Sequence, residues 1–292
     1  MEPGKLGVWY YLDGMRANIA TATAQRIEAL GYSTLWIPES TGRNPFAHAG
    51  WLLANTTRLN IATGIASIYH REAGVTLAGQ QTLAELSDDR FLLGLGVSHQ
   101  IMVEGIRNRE YAKPLATMRA YLQAMDAAPY TARRPAVPPA RVIAALGPKM
   151  LELARDTCAG AHPFFTSVEH TAIARKILGP NKWLCVEQRV LLDANADTAR
   201  TTARAVAQRH LALPNYRNNW LSLGFNEADL ANGGSDRFID ATCAWGSVDK
   251  IKERIAAQYA AGASHVCLHP LNPNGRIGDL HWPVLEQLSD LA

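Results

Sequence analysis

Residues 58–99 read RLNIATGIASIYHREAGVTLAGQQTLAELSDDRFLLGLGVSH, and the fold is decided here. Asn60–Ala66 is an apolar, β-branched run broken by one glycine, residues 73–87 carry helical spacing, and Phe91–Val97 is a second apolar run closed by Gly94 and Gly96. The order is strand, helix, strand. A crossover of this length makes the strands parallel, and strands buried on both faces are continuously apolar, as these are. The polar residues fall just past the strand ends: Ser67 and His70 after the first, Ser98 and His99 after the second. Carboxyl ends of parallel strands are where ligands bind, so one stretch supplies a fold unit and a candidate site.

Working outward, the same alternation recurs. Strands are expected at 6–11, 34–37, 60–66, 91–97, 141–146, 160–165, 185–192 and 265–268, with helices between them. Gly31 suits the left-handed residue that ends the first helix. Residues 213–234, rich in Asn and aromatics, read as a late insertion of short helices, followed by helices at 236–244 and 247–261. Eight strands alternating with helices in 292 residues is the count of a (β/α)8 TIM barrel, expected as a single domain spanning 1–292; a doubly wound sheet is the competing arrangement.

Composition fits that class. Hydrophobic residues make up 48% and charged residues 19%, enough for a large core. A net charge of +3, without a Lys/Arg block, argues against nucleic acid and acidic membrane surfaces as partners. No signal-peptide pattern and no apolar run of roughly 18 residues occurs, so a cytoplasmic location is expected. Cys158, Cys185, Cys243 and Cys267 show no C-x-x-C spacing and read as buried free thiols.

If the barrel closes, its strand exits converge on one rim carrying Tyr11, Asp13, Glu39, Ser40, Ser67, His70, Ser98, His99, His162, Gln188, Arg189 and His269. Gly94 and Gly96 do not extend to G-x-G-x-x-G, because the third position is His99, so the dinucleotide fingerprint is rejected. Two readings of the pair stay open: close approach of a flat ligand or a phosphate, or tight packing of strand against helix. Gly147-Pro148-Lys149 turns a strand into a helix, whose free N–H groups and positive dipole end suit a phosphate. His265, Cys267 and His269 share a strand face, but the two histidines stand roughly 13 Å apart at about 3.3 Å per residue, so no catalytic metal is expected. No Gly-x-Ser-x-Gly elbow supports serine hydrolysis.

Several stretches together resemble the luciferase-like monooxygenase superfamily, in particular its coenzyme F-420-dependent oxidoreductase branch: Leu35-Trp36-Ile37-Pro38-Glu39, Ala62-Thr63-Gly64-Ile65, Asp89-Arg90-Phe91 through Gly94-Leu95-Gly96-Val97-Ser98-His99, and Ala145-Leu146-Gly147-Pro148-Lys149-Met150. The resemblance implies a barrel that holds a flavin-like ring at its carboxyl rim, a cis peptide at Gly64–Ile65 behind the ring, ring contacts from Glu39, Ser40, Ser67, Val97, Ser98 and Met102, and phosphate-side contacts from Leu146, Gly147, Lys149 and Met150. It implies hydride exchange between the deazaflavin and a small organic substrate, with FMN as the alternative cofactor, and a homodimer. A non-catalytic flavin- or deazaflavin-binding protein is the rival class.

The chain departs from the branch where its chemistry is set. A sugar-phosphate dehydrogenase of the branch has histidine after strand two and glutamate after strand four; here the matching residues are Ser40 and His99. His99, whose ordinary pKa near 6.5 suits proton exchange at neutral pH, is the first candidate for that role, Glu39 the second and His70 the reserve.

Overall fold

A computed structural model of the chain describes residues 1–274 and 279–292. The strands are β1 (Leu6–Trp9), β2 (Thr34–Ile37), β3 (Asn60–Thr63), β4 (Ala66–Ser67), β5 (Phe91–Gly96), β6 (Arg141–Ile143), β7 (Gly160–Ala161), β8 (Trp183–Leu192), β9 (Cys243–Gly246) and β10 (His265–Pro270). All pairings are parallel. They run β10–β1–β2–β3–β5–β6–β7–β8 and close through β8 onto β10, with β4 continuing the line of β3 along β5. Counting β3 and β4 as one interrupted strand gives the closed eight-stranded barrel, and the doubly wound alternative falls.

The interruption lies at Gly64–Ile65, whose peptide bond is cis. Gly94 and Gly96 leave room for this segment: a Cβ on Gly94 would stand 2.0 Å from the Thr63 carbonyl oxygen, and one on Gly96 2.5 Å from the Ile65 side chain. What these glycines accommodate is the neighbouring β3–β4 segment, not a helix as the packing reading expected.

Inward-facing residues follow the period of two and form a compact barrel core of Trp9, Trp36, Ala62, Leu92, Val142, Cys185 and Cys267. The larger core lies between barrel and helices, among them α1 (Ala17–Ala29), α2 (Pro45–Ala54), α3 (Ala73–Leu86), α4 (Pro114–Ala127), α5 (Pro148–Thr157) and α6 (Val168–Leu178). Gly31 closes α1 with φ +92°, as its place in the sequence suggests. All four cysteines are buried and free.

Beyond β8 come α7 (Ala196–Leu211), α8 (Pro214–Ser222) and α9 (Glu227–Leu230); α8 and α9 form the expected late insertion. These pack with α10 (Asp236–Thr242) around Phe165, Trp220 and Phe238. One element departs from expectation: residues 243–246 form strand β9 instead of the end of a helix. Ala-Thr-Cys-Ala is locally compatible with helix. Its strand state comes from pairing with residues 189–192 of β8, beyond the stretch occupied by β7, a contact that local pattern does not report.

Candidate active site

The carboxyl rim opens into a cavity of about 1750 Å3, above the roughly 300–1000 Å3 typical of small-molecule sites. Its floor is built by β1, β3–β4, β6 and the loop after β7, through Trp9, Gly64, Ile65, Ala144, His162 and Phe164; its outer wall is α7 and α8 with the segment after β5. Trp9 donates through Nε1 to the Gly64 carbonyl at 2.8 Å, tying the floor to the barrel core. A Cβ on Gly64 would meet that indole at 2.8 Å, so the close approach requires glycine.

Glu39, at the end of β2, lines this cavity in a saturated network. Its carboxylate accepts from the Ser67 backbone N–H at 2.7 Å and from Arg71 through both guanidinium nitrogens, and it pairs with His70 Nδ1 at 3.1 Å. Burial works to raise its pKa, but the bonds from His70 and Arg71, the Arg71 charge and the Ser67 N–H outweigh it and hold the carboxyl below its usual range. Glu39 is therefore an ionised anchor for the β4 exit.

His99 stands in the wall after β5. Its Nδ1 lies 3.1 Å from Asn215 Oδ1 of α8, and its ring packs on Tyr216 with centroids 5.6 Å apart. Since the amide oxygen accepts only, Nδ1 carries the proton and Nε2 is bare. Burial lowers the His99 pKa against the opposing bond from Asn215, which keeps the ring neutral near pH 7.

The remaining sequence candidates divide by position. Ser40, Gly64, Ile65, Ser98 and Met102 line the cavity with Glu39 and His99. Ser67 is buried beneath the wall, with its hydroxyl accepting from the Tyr69 N–H at 3.3 Å, and Val97 packs against the outer core. Leu146 presents its carbonyl to His170 Nε2 at 2.9 Å; Gly147 is the exposed N-cap of α5, which no side chain caps; Met150 packs against the outer core. Lys149 lines a separate groove of about 400 Å3 between α4 and α5, beside Asp126, Glu152 and Asp156.

Two histidines of the shared strand face prove unlike. His265 is a core residue, taking a bond from Trp36 Nε1 at 2.9 Å and donating through Nδ1 to the Gly4 carbonyl at 3.0 Å. His269 lines the cavity, with Nδ1 2.7 Å from Glu187 Oε1 and its ring 4.5 Å from that of Trp9. Glu187 is fully buried and also accepts from the Phe165 N–H at 2.9 Å. Sequence reasoning missed it, choosing Gln188 and Arg189 at this strand end. Gln188 points outward and bonds Gln258 at 2.9 Å. The available signal was parity: Cys185, Glu187 and Arg189 share the inward register. His210 on α7 was missed altogether; helical spacing alone does not reveal that its ring reaches the cavity.

Among the described residues no group of three or more His, Cys, Asp or Glu side chains is placed to hold a metal ion, and no helix is long and apolar enough to cross a membrane. The cavity thus offers a flat apolar floor, a fixed carboxylate and several neutral imidazoles, while the N-terminus of α5 lies outside its lining.

Comparison with known proteins adds the family. A Mycobacterium tuberculosis protein named as a coenzyme F-420-dependent oxidoreductase is 28% identical over 170 residues, covering 48% of this chain, which spans about half (49%) of that relative. The 5,10-methylenetetrahydromethanopterin reductase of Methanolobus tindarius is 24% identical over 294 residues, covering 86% of this chain and 90% of the reductase. Among solved structures, an F-420-dependent secondary alcohol dehydrogenase in complex with an F-420–acetone adduct superposes with a TM-score of 0.79 at 14% identity, covering 100% of this chain and 98% of that one, and so shares its fold. The luciferase-like monooxygenase profile matches residues 2–265. Fold, rim cavity and profile together place this chain in the luciferase-like monooxygenase family.

Proposed function

We propose that the chain is an oxidoreductase that exchanges a hydride between coenzyme F-420 and a small organic substrate. The observation that carries this is the cavity: at about 1750 Å3 it has room for a tricyclic ring and a second small molecule on one apolar floor. The donor set fits such a group. Trp9, Ile65, Ala144 and Phe164 offer the flat surface a ring needs, and the uncapped N-terminus of α5 at Gly147, outside the cavity lining, offers N–H groups and a positive dipole end to a phosphate carried beyond the ring. The names of the relatives favour F-420 over FMN.

When bound, F-420 supplies or accepts the hydride; the protein supplies orientation and proton transfer. Glu39, saturated and ionised, acts by holding the Ser67 backbone and the β4 exit behind the floor. His99 presents its bare Nε2 in the cavity wall, and Asn215 sets its tautomer. Ser40, Ser98 and Met102 shape the ring site between them. Titration of the purified protein with oxidised F-420 and with FMN tests the assignment: tighter binding of F-420 is expected, and micromolar FMN binding with no response to F-420 overturns it in favour of a flavin monooxygenase.

A cytoplasmic homodimer completes the proposal. Exposed Trp51 on α2 and Val75 and Leu86 on α3 are apolar surface suited to a second copy. Light scattering should read twice 31.8 kDa, and a mass of 31.8 kDa would refute the dimer. Recovery of the native protein in the soluble fraction of its source cells tests the location, and recovery with membranes or medium would refute it.

A further inference from the structure

One polar pair at the cavity is among the groups that the resemblance did not single out. Glu187 Oε1 and His269 Nδ1 are 2.7 Å apart, and an ionised carboxylate accepts only, so Nδ1 carries the proton and Nε2 is left bare. Burial lowers the His269 pKa and Arg189 adds to this, against the pull of Glu187, so the ring is neutral near pH 7.

His210 is fixed the opposite way. Arg189 Nη2 lies 3.1 Å from His210 Nδ1, and a guanidinium only donates, so Nδ1 is bare and Nε2 bears the hydrogen. The Val206 carbonyl, 3.2 Å from the same Nδ1, is the weaker neighbour, since the charged donor forms the stronger bond. Both imidazoles line the cavity, and both rings flank Phe164, with centroids 5.5 Å and 6.0 Å away. One presents a bare nitrogen and the other an N–H, both beside the same aromatic ring.

We infer that His269, set by Glu187, exchanges the proton with the oxygen of an uncharged, apolar alcohol or its carbonyl counterpart, while His210 donates a hydrogen bond to that oxygen. This rests on the proposed F-420 reading and names its substrate class. In the oxidation direction the substrate O–H proton passes to His269 Nε2, the carbinol C–H bond breaks with its electron pair and hydrogen going to oxidised F-420, and the C=O bond forms. The products are a carbonyl compound, reduced deazaflavin and an imidazolium. Trp9, Phe164 and Leu271 supply apolar walls suited to an uncharged, apolar substrate.

The test compares wild type, His269→Asn and His281→Asn, the last a histidine outside the cavity, with 1-phenylethanol and F-420 as probes, and adds 15N-histidine NMR of the cofactor-free wild type. The expected results are F-420 affinity within about threefold in both variants, a loss of alcohol oxidation of about 100-fold or more in His269→Asn but under about twofold in His281→Asn, and a His269 signal of the Nδ1–H tautomer. Failure of the wild type to bind F-420 overturns the oxidoreductase reading and the inference with it. F-420 binding together with near-wild-type turnover in His269→Asn overturns the inference alone. Should His269→Asn fail to fold, the NMR decides: an Nε2–H tautomer at His269 overturns it.

Discussion

Replacing Glu187 by Gln removes the carboxylate that faces Arg189 inside the protein. The two side chains are each 1% exposed, with Arg189 Nε 3.7 Å from Glu187 Oε1. Apart from Glu187, Arg189 has its bond to His210 and the face of Phe165, whose ring centroid lies 3.7 Å from the guanidinium carbon; Nε and Nη1 have no hydrogen-bond partner among the described residues. Breaking a buried pair on one side strands the other charge and costs about 3–5 kcal/mol. Gln keeps an oxygen for the Phe165 N–H, so the loss reports mainly the charge. With an unfolding entropy of about 2.1 cal/mol/K per residue, 292 residues give about 0.6 kcal/mol/K, and Tm should drop by about 5–8 °C. The double variant Glu187→Gln/Arg189→Met removes both charges and should recover to within about 2 kcal/mol of wild type, since neutral replacement of a buried pair costs little. Urea unfolding of the two singles and the double measures this. A double variant no more stable than Glu187→Gln, or a Glu187→Gln loss below about 1 kcal/mol, would refute the reasoning.

Three other consequences are measurable. Burial lowers the pKa of His162 and His265 to about 4 and, with the Arg189 charge, of His210 to about 3, against about 6.5 unfolded. Below about pH 6.5 the unfolded chain therefore binds more protons, and stability should fall on acidification by up to about 1.4 kcal/mol per pH unit for each histidine until the folded values are reached; equal urea midpoints at pH 7 and pH 5 would contradict this. Arg71→Ala withdraws charged hydrogen bonds from Glu39, with an expected cost of about 1.5–3 kcal/mol and weaker F-420 binding, and a variant unchanged in both Tm and F-420 titration would refute the anchoring role. Asn215→Ala frees His99 Nδ1 and loosens α8 from the segment after β5, so KM should rise more than kcat falls; a fall confined to kcat would show that the wall does not act in binding.

The barrel was legible in the sequence because parallel strands buried on both faces leave continuous apolar runs, and each of the eight expected runs contains an observed strand. β9 was not, since its first two residues are helix-compatible and the segment becomes a strand only by pairing with distant residues of β8. In the site, the residues just after strand ends were readable, and among those that line the cavity are Glu39, Ser40, Gly64, Ile65, Ser98, His99 and Met102. Side chains that work as pairs across elements were not. Glu187 and His269 are 82 positions apart and Arg189 and His210 lie on a strand and a helix, so their tautomer-setting bonds exist only once β8, β10 and α7 are assembled. The ionised, saturated state of Glu39 likewise depends on Arg71 and Ser67 in another βα loop.

Hydride exchange with F-420 is tested most directly by deuterium transfer. The protein is mixed with oxidised F-420 and a panel of alcohols deuterated at the carbinol carbon, and the reduced deazaflavin is examined by NMR. Loss of the oxidised absorbance with deuterium retained at C5 is the predicted result. Bound F-420 that no alcohol, imine, enone or sugar phosphate reduces or reoxidises would contradict the account and favour a protein that holds the cofactor without turning it over.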